Sequence, residues 1–142
     1  MSRSPRAELR SKQGWATLLV VLSIEAFGGL ALLVPTTVGM LAASGEPLGQ
    51  RLSIFLALLI SWVWVLATLF GGLRSRAAWA RGSALTIHVL LFAAGTGMLQ
   101  LAIGSPLLAW VLVLLALLGF FAAILARPAI VVEEEDETGE EG

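Results

Sequence analysis

Four apolar segments, residues 15–41, 52–73, 84–103 and 107–126, take up most of this 142-residue chain. A helix needs about 20 apolar residues to cross roughly 30 Å of hydrocarbon, and each segment has that length or more. Lipid offers no partner for a bare backbone N–H or C=O, so apolar segments of this length are expected to be helices. The alternating ten-residue pattern of a membrane β-barrel is absent. A soluble alternative fails on composition: 58% of the residues are hydrophobic and 13% charged, and a small domain has too little interior to hide that much apolar surface. The expected fold is all-α, a four-transmembrane-helix bundle.

The interruptions read as turns. They are Ser44-Gly45-Glu46-Pro47, the stretch 74–82, and the tight Gly104-Ser105-Pro106. The first apolar segment is roughly twice the 7–15 residues of a signal-peptide core, and it is expected to be a permanent span. One membrane domain, 14–127, therefore lies between a basic N-terminal segment, 1–13, and an acidic tail, 128–142. The tail carries seven carboxylate side chains between Glu133 and Glu141. It is too charged to bury and is expected to be disordered.

Basic residues orient membrane proteins by favouring the cytoplasmic side. With the N-terminus inside, Arg3, Arg6, Arg10, Lys12, Arg74, Arg76, Arg81 and Arg127 are cytoplasmic, and Arg51 alone is external. Eight against one predicts that both termini are cytoplasmic. Arg74, Arg76 and Arg81 form a basic loop suited to topology and to anionic headgroups. Trp15 and Trp79 are expected at the inner interface and Trp110 at the outer. Trp62 and Trp64 sit mid-span and point about 200° apart, so at least one is expected to face protein or a cavity.

Glu25 is the most informative residue. It lies about 15 Å along the first helix from Trp15, where a carboxyl costs roughly 2.5–3.5 kcal/mol on insertion scales. It is either a functional group or a packing hydrogen bond. His88 enters the third span from the same side, about 10 Å deep, and a Glu25–His88 contact is predicted if the first and third helices touch. Gly28, Gly29, Gly95, and the pair Gly119 and Ala123 are small residues of the kind that let membrane helices pack closely. Ser23, like other hydroxyls in the spans, can bond its own helix, and Gln100 can reach a neighbour or water. Pro35 removes a backbone hydrogen bond inside the first helix.

Several classes of chemistry are disfavoured. The chain has no cysteine, which removes disulfides, thiolate metal sites and thiol nucleophiles. One glutamate and one histidine supply too few ligands for a metal, and no phosphate loop or nucleophile elbow occurs. No metal, cofactor or nucleic acid is expected.

Asn and Tyr are absent and Lys12 is the single lysine, a bias of GC-rich bacterial genomes. The motifs Arg76-Ala-Ala-Trp-Ala-Arg-Gly82, Leu99-Gln100 and Gly104-Ser105-Pro106-Leu107 resemble a loose group of small four-span proteins of high-GC Gram-positive bacteria. That resemblance implies a lineage without a mechanism. Ile24-Glu25-Ala26-Phe27-Gly28 resembles the first helix of small multidrug resistance transporters, which implies a membrane glutamate exchanging protons for cations. The aromatic signature of that family's third helix has no counterpart, since 88–100 contains neither Tyr nor Trp. Two readings follow. The first is a non-enzymatic accessory or scaffolding subunit that packs against a larger membrane complex or itself. The alternative is a proton-coupled small-molecule or cation transporter using Glu25.

Overall fold

The computed structural model describes residues 4–42, 45 and 47–128. They form four helices, α1 (Pro5–Ala42), α2 (Leu48–Ser75), α3 (Ala78–Leu101) and α4 (Pro106–Leu125), with no strand among the described residues. All four are long and apolar enough to cross a membrane. The protein is an all-α integral membrane bundle. The acidic segment 129–142 lies outside the described residues.

The helices are longer than their apolar cores. α1 has 38 residues, about 57 Å at 1.5 Å per residue, so the basic N-terminal segment continues the first span as helix from Pro5. The loop expected over 74–82 shrinks to Arg76 and Ala77. Charge was the wrong guide there, because arginines beyond the hydrocarbon are compatible with helix. Arg76 takes a left-handed conformation (φ 46°), and its N–H closes on Gly71 and Gly72 carbonyls, ending α2. α3 stops at Leu101, two residues before the expected boundary, where Ala102 is left-handed (φ 52°). The third turn is as tight as its sequence implies. Ser105 caps α4 by accepting from the Leu108 N–H, and Pro106 starts the helix, where its missing N–H costs nothing.

Each helix packs against its sequence neighbour, and α1 also packs on α4, so the four form a square. α1 and α3 occupy opposite corners and make no close backbone approach. The core gathers at the end that carries both chain ends: Trp15, Leu18 and Leu22 of α1 meet Ala84 of α3 and Ala122, Ala123 and Ala126 around the end of α4. Alanines and glycines allow this closeness. A Cβ on Gly14 would come within 2.6 Å of the Ala126 nitrogen, and one on Gly95 within 3.0 Å of the Ala109 oxygen.

Side-chain hydrogen bonds lace the same end. The Trp15 indole donates to the Arg127 carbonyl at 2.6 Å, and the Arg127 N–H donates to Ser11 Oγ at 3.0 Å. Trp15 is therefore buried within the bundle and turned away from the surroundings, whereas Trp79 and Trp110 are exposed. Arg81 makes a contact that its sequence did not announce. Its Nε donates to the Ala123 carbonyl at 2.9 Å, filling an acceptor that the end of α4 leaves open. Arg74 and Arg76 remain exposed.

Candidate functional site

Glu25 and His88 meet in the centre of the bundle, with His88 Nε2 3.2 Å from Glu25 Oε1. They come from diagonal helices, so the contact does not need α1 and α3 to touch. Two long side chains reach across the middle. His88 is fully buried and the Glu25 side chain is 8% exposed.

α4 makes room for the ring. A Cβ on Gly119 would overlap the His88 imidazole, so the ring lies in the notch left by the missing side chain. Gly119 therefore serves the histidine and not a bare helix crossing. Ala123, one turn on, is fully buried in the core.

The hydrogen bonds of the imidazole count its protons. Nδ1 lies 2.6 Å from the Ala84 carbonyl, which can only accept, so Nδ1 carries a proton. A neutral His88 then has a lone pair at Nε2, facing the carboxyl. Two charge-neutral arrangements fit: Glu25 protonated and donating to Nε2, or a carboxylate against imidazolium. Both hold one proton between Oε1 and Nε2. The 3.2 Å approach is oblique, and neither Glu25 oxygen nor Nε2 completes a well-directed hydrogen bond. No other hydrogen-bond partner reaches either Glu25 oxygen or Nε2 among the described residues, so the two groups have only each other.

Glu25 also lines a cavity of about 460 Å³ between all four helices. Its wall includes Ile24, Gly28, Leu32, Leu58, Val65, Ile87, Leu91, Val111 and Leu115. The other polar side chains of the wall are occupied: Ser61 Oγ donates to the Ala57 carbonyl at 2.7 Å, and Trp62 Nε1 donates to the Ala26 carbonyl at 2.8 Å. Glu25 is thus the wall's one side chain whose polar atoms make no completed hydrogen bond, and both oxygens are buried on the His88 side instead of opening onto the cavity.

No family model matches the chain, nor does any curated protein or solved structure.

The remaining expected site residues separate. Ser23 donates to the Leu19 carbonyl at 2.7 Å and stays with its own helix. Gln100 is exposed near the far end of α3. Gly29 packs under the Trp62 indole, and Gly95 under Val113 and the Ala109 carbonyl. Gly28 has no atom within 4 Å of where its side chain would start, so it widens the cavity and supports no helix contact. Sequence reasoning missed the Trp64–Ser83–Thr68 bridge between α2 and α3. A mid-span tryptophan paired with hydroxyls one helix away was the available signal.

Proposed function

We propose that the protein is a non-enzymatic carrier of small lipophilic cations in a bacterial cytoplasmic membrane, exchanging each cation for one proton at Glu25. The observation that carries this reading is Glu25 itself, a carboxyl buried against His88 on a residue that lines an otherwise apolar, drug-sized cavity. Ligand pockets run about 300–1,000 Å³ and are mainly apolar with few placed polar groups. The Trp62 indole in the same wall suits a cation, which is drawn to an aromatic face. The resemblance of 24–28 to small multidrug resistance transporters agrees. The accessory-subunit reading rests on exposed apolar side chains, which occur on all four helices and which a bilayer explains equally well.

Electroneutrality sets the stoichiometry. A buried unpaired charge is expensive in this environment. The empty pair is neutral with one shared proton. With a monovalent cation beside it, the site is neutral only as cation, carboxylate and neutral imidazole, so the shared proton leaves. One cation displaces one proton. Titrating the detergent-solubilised protein with tetraphenylphosphonium in two buffers of different ionisation enthalpy should show one proton released per cation. Glu25→Gln should lose both binding and release. Undiminished binding by that variant would remove the proposal.

The eight-to-one distribution of basic residues supports placing both chain ends in the cytoplasm. A reporter joined at Ala77 should be active in the cytoplasm, and one joined at Gly45 should be active outside. The reverse pattern overturns this orientation.

A further inference from the structure

A second cavity, of about 380 Å³, opens at the end of the bundle that carries both chain ends. Its wall is lined by three arginines, Arg6, Arg10 and Arg127, together with Ile124 and Leu125. Arg6 and Arg10 are one turn apart on α1 and share a face. Arg127 arrives from the other end of the chain, just beyond α4. Its placement is fixed, because its carbonyl accepts from Trp15 Nε1 and its N–H donates to Ser11 Oγ. Both bonds use backbone atoms, so neither occupies the guanidinium.

No ion pair joins these arginines to a carboxylate among the described residues. The α1 acid nearest them in sequence, Glu8, pairs with Lys12 at 2.9 Å. Three like charges held around one concavity repel one another, and an anion relieves that repulsion. Guanidinium forks match the oxygens of a phosphate. The site also lies at the level of the headgroups, since Arg10 is five residues, about 7.5 Å of helical rise, beyond Trp15 and the apolar span. Ile124 and Leu125 are about half exposed directly beside it, at 45% and 48%, and offer an apolar surface to a chain attached to that phosphate.

We propose that Arg6, Arg10 and Arg127 bind the phosphate group of an anionic phospholipid, whose acyl chain lies over Ile124 and Leu125. The tertiary fold makes this site by joining residues from opposite ends of the sequence. It is separate from the exposed Arg74 and Arg76 of the α2–α3 turn and independent of any role for Glu25.

The test uses the full chain purified in a non-ionic detergent. Dioleoylphosphatidylglycerol, dioleoylphosphatidylcholine and inorganic phosphate are titrated separately, and binding is followed by native mass spectrometry and by the thermal midpoint. Phosphatidylglycerol should bind and raise the midpoint, with at least tenfold preference over phosphatidylcholine. Each arginine replaced by glutamine should weaken it about fivefold, the factor one basic residue contributes near an anionic surface. The triple variant R6Q/R10Q/R127Q should lose about a hundredfold. It should still fold, because the bonds at position 127 use backbone atoms, and its lipid-free midpoint checks this. The double variant R74Q/R76Q should keep the preference for phosphatidylglycerol over phosphatidylcholine that the triple variant loses. Equal affinity for phosphatidylcholine, or an unchanged triple variant, overturns the proposal. Inorganic phosphate binding as tightly as phosphatidylglycerol overturns the lipid assignment and gives the cavity to free phosphate.

Discussion

Gly119→Ala is expected to destabilise the bundle by about 3 kcal/mol, at the upper end of the cost of overpacking a core, and to abolish cation binding. The added methyl falls on the His88 ring itself, so it cannot be absorbed by the flexible end of a long side chain. The ring has little freedom to retreat, because it is fully buried and its Nδ1 is tied to the Ala84 carbonyl at 2.6 Å. Either α4 moves away from α3 or the imidazole leaves Glu25. Gly28→Ala is the matched control. Its methyl meets nothing within 4 Å, and the higher helix propensity of alanine should leave stability unchanged or raise it by up to about 1 kcal/mol. Thermal unfolding of both variants in detergent, with tetraphenylphosphonium binding measured alongside, separates the two glycines. Equal and small losses would show that the notch at Gly119 does not hold the ring.

That contrast shows where the sequence was legible. The four helices were readable because bilayer thickness imposes a length on any apolar span, and that constraint acts on each segment alone. The depth match of Glu25 and His88 was readable for the same reason, since helical rise converts residue number into distance. Facts that depend on how one helix is rotated against another were not. Gly28 and Gly119 look alike as small residues, yet one borders open space and the other seats a ring. Trp15 has the composition of an interfacial anchor, but the Arg127 carbonyl, 112 positions away, draws it inward. The bonds from Arg81 to the Ala123 and Ile124 carbonyls depend likewise on where the end of α4 comes to lie. The turn at Arg76 and Ala77 was overestimated because charge density was read as loop.

Glu25 itself should answer differently to glutamine and to leucine. Nδ1 of His88 is committed as a donor to Ala84, so in the neutral pair Nε2 is an acceptor that needs a donor from the carboxyl. Glutamine keeps the shape and brings an N–H to that lone pair, so Glu25→Gln should hold the thermal midpoint close to that of the parent. It cannot give up a proton, so proton release and cation binding should both vanish. Leucine removes the donor and leaves Nε2 buried without a partner. That costs about 1–3 kcal/mol and should appear as a lowered midpoint. His88→Leu probes the pair from the other side. The Ala84 carbonyl keeps its helical hydrogen bond, and the carboxyl is what loses its partner. If the two residues act as one proton-holding unit, the double variant Glu25→Leu with His88→Leu should be less destabilised than the sum of the single variants, because no polar atom remains stranded. Additive losses would mean that the 3.2 Å approach carries no coupling. In that case cation exchange at Glu25 would have to proceed without His88.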